Sequence, residues 1–257
     1  MKKNPVLNKF RAGDIATCLW MNIGDASMAE AAAQWGYFDS ILLDYQHGYW
    51  SEASMMGALQ SMMATGTAPL IRVASNDPAR IGRALDLGAL GVIVPMVNSA
   101  EESEAAVRSV RYPPEGDRSA GGTRLLYFGE DYFNEANSEI ALIVMLETKE
   151  AVERADEILS VPGVDAGFIG PGDLAISFGC YPERGPVHEE AMLKILDAGT
   201  RAGKPMGLLC PSVEEALKRI EQGFRFIPYQ VDYLAFKNSL DAAHAEFSER
   251  VKGLGRG

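Results

Sequence analysis

Eight short, almost unbroken apolar runs recur along this chain, and each is followed by a stretch with apolar residues at helical spacing. The runs are TCLWMN (17–22), SILLDYQ (40–46), APLIRV (68–73), GVIVPMV (91–97), EIALIVMLET (139–148), VDAGFIGP (164–171), PMGLLC (205–210) and FRFIPYQ (224–230). Continuous hydrophobicity over so few residues fits strands buried on both faces, as in a parallel sheet. The intervening segments carry helix punctuation. In DPARIGRALDLG, Asp77 is placed to cap, Pro78 opens the first turn and Gly88 stops the helix; in SVEEALKRIEQG, Ser212 and Gly223 bracket the same pattern.

Eight strand–helix pairs in 257 residues match the size and rhythm of an α/β fold of the (β/α)8 TIM-barrel type, with the whole chain, 1–257, as one domain. A doubly wound open sheet is the alternative. It usually opens with a glycine-rich turn after the first strand, whereas MNIGDAS has a single glycine and no GxGxxG occurs. The one long interruption, residues 113–138 (PPEGDRSAGGTRLLYFGEDYFNEANS), is rich in Pro, Gly and polar residues; it is read as an excursion outside the core that covers the active site.

Composition narrows the partners. A formal net charge of −11 argues against a nucleic-acid or anionic-membrane surface. No apolar run approaches the roughly 18 residues that span a bilayer, and MKKNPVLNKFRAGD lacks the apolar centre of a signal peptide. Cys18, Cys180 and Cys210 are too few and scattered for a disulfide framework or a cysteine-rich zinc site. The expectation is a soluble, reduced, cytoplasmic protein acting on small molecules.

In a barrel, chemistry gathers at the C-terminal ends of the strands. Strand two ends in Asp44, Gln46 and His47, strand three in Arg72, strand five in Glu147, and strand six runs through FIGPGDL to Asp173. Strand one adds Trp20 and Asn22, and strand eight adds Gln230 and Asp232. Each has a structural reading: Asp173 as a helix cap, Arg72 as an ion-pair partner, His47 as a turn residue. Their arrival at separate strand ends points to a site instead.

Carboxylates without cysteine or clustered histidine suit a hard divalent cation held by oxygen. Glu147 and Asp173 are the candidate ligands, with Mg²⁺ as the expected type of ion; His188 and His244 fall in helical stretches, away from the strand ends. With a carbonyl polarised by the cation, Arg72 would stabilise the developing negative charge and His47 would move the proton, which is enolate chemistry at a small oxo-acid. No lysine sits at a strand end to form a Schiff base, Lys149 following strand five into a helix. LLCPSVEE and IPYQVDYLA lack the glycine-rich loop that a phosphorylated substrate usually needs. GPGDL opens a helix whose free N–H groups suit a carboxylate.

At these residues the sequence resembles the HpcH/HpaI aldolases, class II pyruvate-dependent enzymes that include 4-hydroxy-2-oxoheptanedioate aldolase and 2-dehydro-3-deoxyglucarate aldolase. The resemblance rests on LLDYQH, IRVASNDP, LDLGALGVIVPMV, RYPPEGDRS, LETKEA and GVDAGFIGPGDLA, in that order, and spans nearly the whole chain. It implies a barrel whose last helix is exchanged between subunits of a homo-hexamer, a trimer of dimers. It also implies Mg²⁺, Mn²⁺ or Co²⁺ at Glu147 and Asp173, with pyruvate and an aldehyde as substrates. Under it Arg72 binds the keto oxygen, His47 is the acid–base, Gly172 and Asp173 hold the carboxylate through their backbone, Trp20 lines the pocket, and Asp86 reaches His47 of an adjoining subunit; a helix salt bridge is the other reading of Asp86.

Two positions depart from the family pattern. Gln46, beside Asp44, stands where many members have a glutamate that orients metal-bound water, and Met145 stands where many have a glutamine two residues before the ligand glutamate. Both changes point to altered metal affinity or substrate preference with the ligands kept. The loop SAGGTRLLYFG differs from the common form, so the aldehyde does not follow from the resemblance. A non-catalytic oxo-acid-binding relative, or a CoA-dependent lyase of the citrate-lyase or malyl-CoA-lyase kind, are the alternatives; no basic extension for a CoA phosphate is evident.

Overall fold

The structure, a computed structural model, describes Met1 and residues 3–254. Its strands are β1 (Ala16–Met21), β2 (Ser40–Asp44), β3 (Ala68–Arg72), β4 (Gly91–Val94), β5 (Ala141–Leu146), β6 (Ala166–Ile169), β7 (Met206–Leu208) and β8 (Phe226–Val231). They pair in chain order, every pair parallel, and β8 closes on β1. The barrel is therefore of the (β/α)8 type, and each strand lies within a run expected from the sequence, apart from one-residue extensions of β1 and β8. The helices are α1 (Pro5–Ala12), α2 (Ala26–Trp35), α3 (Glu52–Met62), α4 (Pro78–Asp86), α5 (Ala100–Val110), α6 (Tyr132–Glu139), α7 (Lys149–Glu153), α8 (Ala155–Ser160), α9 (Pro171–Phe178), α10 (Pro186–Arg201), α11 (Val213–Gln222) and α12 (Asp232–Gly253).

The continuous hydrophobicity of the strands resolves into two faces, because successive side chains point to opposite sides. Cys18, Leu42, Leu70, Ile93, Ile143 and Phe168 belong to the cluster inside the barrel. Their neighbours Leu19, Ile41, Ile71, Val92, Leu142 and Ile169 belong to the larger cluster shared with the helices. Small and large residues alternate so that the interior fills: Phe168 meets Trp20 at a centroid distance of 5.5 Å and Phe226 at 5.8 Å. A buried aromatic of this kind is worth about 3–5 kcal/mol against truncation to alanine.

The N-terminal end is closed by α1, an element that the pattern of apolar runs does not announce. Asn4 caps it, accepting from the Val6 and Leu7 amides while its own amide donates to Leu90 O (2.7 Å) and Glu139 O (3.1 Å). Phe10 then meets Phe226 edge-on at 5.8 Å. The Asn4–Pro5 start and the left-handed Gly13 stop (φ 74°) are the local signals for it.

Residues 113–138 correct an expectation. They join the end of α5 to the start of β5, which places them at the N-terminal end of their own barrel, opposite the strand ends. Most of the segment is exposed, as an excursion would be, but it is not wholly outside the core: Leu125, Tyr132 and Ala136 are buried in the main cluster. Arg118 and Arg124 are buried too. Arg124 donates from Nε to Leu87 O (2.7 Å), and Arg118 pairs with Asp86 (3.1 Å) with its guanidinium 4.6 Å from the Tyr112 ring centroid. Arginine stems and cation–π contacts let a polar-looking segment be core.

Candidate active site

The inward parity that fills the barrel also delivers the site. Two residues beyond Leu42 is Asp44, two beyond Leu70 is Arg72, two beyond Ile143 is Met145, and two more is Glu147; two beyond Phe168 is Gly170. These positions converge at the C-terminal end on a cavity of about 390 Å³ that Trp20, His47 and Asp173 also line.

Asp44 organises its floor. It is fully buried, accepts from Arg72 Nε at 2.9 Å and from Nη2, and takes Trp20 Nε1 at 3.1 Å and Asn22 Nδ2 at 2.9 Å. The Gln46 and His47 amides donate to its Oδ1, which shapes the turn after β2. Burial alone would raise the Asp44 pKa, but the hydrogen bonds and charge of Arg72, with Trp20 and the His47 amide, hold it below the usual carboxylate range. The result is a rigid fork: Arg72 lies 4.9 Å from the Trp20 ring centroid, and its remaining N–H groups are left for a ligand. Arg72 is an ion-pair partner, and that pair is what aims it into the cavity.

Glu147 stands opposite, almost fully buried. Its Oε1 accepts the Met96 N–H at 2.8 Å, and its Oε2 has no hydrogen-bond partner among the described residues. Burial, with the nearby Asp173 charge adding, pushes its pKa up against the pull of the Met96 N–H and Arg72. A buried, orphaned carboxylate oxygen beside a second carboxylate is the donor set that a hard divalent cation completes, so these residues fit one. Asp44 is taken up by Arg72, and no group of three His, Cys, Asp or Glu side chains that could hold a metal occurs among the described residues. Water or substrate oxygens would have to supply the rest of the shell.

Asp173 and Gly172 occupy the first turn of α9, whose N-cap, Gly170, has no capping side chain. Their amides point out of the helix start without an intrahelical acceptor. His47 lies exposed at the rim, and Met145 lies buried in the wall.

Other expected residues fall elsewhere. Gln46 opens onto a neighbouring cavity with Asn76, Pro95 and Met96, and its carbonyl oxygen is buried without a partner among the described residues. Asp86 ends α4, at the N-terminal end of its own barrel, paired with Arg118; contact with His47 needs a second subunit. Asp232 accepts the Asn22 and Ile23 amides at 2.9 and 2.8 Å and so pins the turn after β1. Gln230 is exposed and stands apart from the cavity.

Three positioning residues have no legible sign in the sequence. A Cβ on Gly170 would come within 2.1 Å of Glu147 Oε2. Met96 adopts a left-handed backbone (φ 57°) and its N–H meets Glu147. His188, on α10 and buried, donates from Nε2 to Pro171 O (2.8 Å) and anchors the start of α9; burial, the largest influence, pushes its pKa down and favours the neutral ring. A lone histidine in a helix does not announce this role.

A closed parallel barrel with an ion-paired arginine facing two carboxylates at the strand ends defines an enzyme for small, oxygen-rich anions. The chain belongs to the HpcH/HpaI aldolase/citrate lyase family, whose model matches residues 16–239. It is 38% identical over 251 residues to the pyruvate aldolase of Rhizobium etli, covering 95% of this chain and 98% of that protein. It is 36% identical over 256 residues to the hydroxypyruvate/pyruvate aldolase of Chromohalobacter salexigens, covering 96% and 98%. Among solved structures it is similar to an HpcH/HpaI aldolase/citrate lyase family protein from Burkholderia cenocepacia, with a TM-score of 0.91, 31% identity, and 96% and 100% of the two chains covered.

Proposed function

We propose that the protein is a divalent-metal-dependent (class II) aldolase that joins pyruvate, or a related 2-oxo acid, to an aldehyde and cleaves the resulting 4-hydroxy-2-oxo acid. The observation that carries this reading is Glu147 Oε2, buried beside Asp173 and without a hydrogen-bond partner among the described residues. Relatives named as aldolases favour it over the CoA-dependent and non-catalytic alternatives.

Glu147 and Asp173 would hold Mg²⁺, Mn²⁺ or Co²⁺, which when bound supplies a Lewis acid for a carbonyl oxygen. The remaining chemistry is this chain's own. Arg72, fixed by Asp44, donates to the oxygen on which negative charge develops. The free amides of Gly172 and Asp173 receive the oxo-acid carboxylate. Trp20, Met145 and Phe168 wall the site and limit water. His47 takes the proton from the new hydroxyl in cleavage and returns it in synthesis. In synthesis the methyl carbon of pyruvate gives up one C–H proton and bonds the aldehyde carbon, and the former aldehyde oxygen gains a proton, with His47 as the group that moves it; cleavage is the reverse.

The assembly belongs to the same reading: a homo-hexamer in which α12 docks on a neighbour and Asp86 approaches the neighbour's His47. In support, Tyr233, Phe236, Leu240, Phe247 and Leu254 stand exposed along α12 and its end at near-heptad spacing. A cytoplasmic location is also part of it; the three cysteines are free, and no helix among the described residues is long and apolar enough to cross a membrane.

The test is aldehyde consumption with pyruvate across an aldehyde panel. EDTA should abolish it, Mg²⁺ or Mn²⁺ should restore it, and borohydride with pyruvate should trap no adduct. Full activity in EDTA, or a trapped lysine adduct, overturns the proposal.

A further inference from the structure

We infer that Asn98 is a positioning residue for Glu147: its side-chain amide ties the turn after β4 to the turn after β5 and so holds the Glu147 carboxylate in place for a cation. The inference rests on the metal-dependent reading and deepens it.

From the side of β4, a single backbone group grips Glu147. The Met96 N–H reaches its Oε1 at 2.8 Å, from a residue held in the left-handed region (φ 57°). A residue with a side chain takes that conformation only where its surroundings impose it. The Met96 side chain does not impose it, because it is 46% exposed. The hold therefore comes from whatever grips the backbone of the turn.

Residues 95–99 are gripped at three points. The Val97 N–H donates to Met145 O at 3.0 Å, and the Asn98 N–H donates to Glu102 Oε2 at 2.6 Å. The third point is a side chain: Asn98 Nδ2 donates to Met96 O at 3.0 Å and fixes the peptide that follows Met96. The other end of the same amide, Oδ1, accepts from Thr148 Oγ1. Thr148 directly follows Glu147, and its hydroxyl oxygen also caps α7 by accepting the Ala151 N–H at 3.1 Å. One amide thus touches both the residue that holds the Glu147 carboxylate and the residue that continues the Glu147 backbone.

Helix capping does not explain this arrangement. Ser99 caps α5 by accepting the Glu102 N–H at 3.2 Å, which leaves the Asn98 side chain without a part in the cap. Asn98 is also absent from the wall of the active-site cavity, so its route to the chemistry runs through Glu147. A primary amide suits the task, since it donates at one end and accepts at the other.

Mn²⁺ binding to the full chain, read from the electron paramagnetic resonance signal of the free ion, tests this without turnover. Asn98→Ala should bind Mn²⁺ about tenfold more weakly than the wild type, the low end for groups that orient a metal ligand. Its metal-free thermal midpoint should fall by no more than about 2–4 °C, the scale of one hydrogen bond in a chain of this length. Adding Met96→Gly should return part of the lost affinity, because glycine takes the left-handed conformation without help. A role in general stability would not be relieved in this way. Unchanged Mn²⁺ affinity in Asn98→Ala, or a loss that Met96→Gly leaves in place, overturns the assignment. If the wild type itself binds no Mn²⁺, the metal-dependent reading is what fails. Crystals of metal-free Asn98→Ala then decide about Asn98: a left-handed Met96 with its N–H still on Glu147 rejects the role, and displacement of both residues supports it.

Discussion

Gly170 is the residue that gives Glu147 its place: a methyl group there would lie 2.1 Å from Glu147 Oε2 and 3.0 Å from its Cβ. The end of β6 is therefore shaped around the side chain that follows β5. Gly170→Ala should keep the barrel and push the carboxylate off its line. Displacements beside a metal typically cost about 10- to 100-fold in affinity or activity. Magnesium titration of the thermal midpoint should show weaker binding in Gly170→Ala, with the metal-free midpoint changed far less. Equal magnesium affinity would mean that Glu147 does not hold the ion.

The Asp44–Arg72 pair yields a second expectation. Asp44→Asn keeps the shape but removes the charge that fixes the guanidinium, leaving a buried cation unpaired. Breaking a buried pair costs about 3–5 kcal/mol, so urea midpoints should fall and activity should fall with them. Arg72→Lys should rescue little relative to Arg72→Ala, because an ammonium lacks the fork that takes both Asp44 and a substrate oxygen. Near-normal turnover in Arg72→Lys would show that only charge is needed.

Why these residues can be found in the sequence, and others not, follows from periodicity. Strand parity carries from Leu42 to Asp44 and from Leu70 to Arg72, so once the strands are recognised their functional ends are visible. Residues 113–138 mislead because Arg118 and Arg124 look solvated by composition, whereas the Tyr112 ring and Asp86 hold Arg118 inside and the Leu87 carbonyl holds Arg124. Gly170, Met96 and His188 are silent for another reason. Each acts through a position reached only when distant segments meet, and no spacing in the chain records it. Gln46 shows the reverse: adjacency to Asp44 and His47 in sequence does not place its side chain in their cavity.

The raised pKa of Glu147 has a consequence for stability with a definite sign. A carboxyl whose folded pKa lies above its ordinary value of 4.5 weakens the fold as pH rises from that value through the folded one. In EDTA, wild type and Glu147→Gln should be about equally stable near pH 4, and Glu147→Gln the more stable at pH 7.5. Magnesium should reverse the order at pH 7.5, since only the wild type gains binding free energy. Denaturant midpoints at the two pH values, with and without magnesium, measure all of this. A metal-free Glu147→Gln that is the less stable at pH 7.5 would contradict the burial argument.

The opposite sign applies on the outer face, where Glu189 of α10 ties α11 to the barrel. Arg219 donates to its two oxygens at 2.6 and 2.8 Å, and Gln222 adds a third bond at 3.0 Å. Arg219 hydrogen bonds are the main cause that brings its pKa down to about 2, against partial burial and with help from Gln222 and Lys218. Stability from a lowered carboxyl pKa is present above the ordinary value and is lost as pH falls toward the folded one. Glu189→Gln should therefore cost about 1–2 kcal/mol at pH 7, at the low end for charged hydrogen bonds because the side chain is 31% exposed. The difference from wild type should shrink steadily between pH 5 and pH 2. Urea denaturation of both proteins at pH 7 and pH 3 reads it directly, and an equal difference at the two pH values would assign the loss to packing instead of charge.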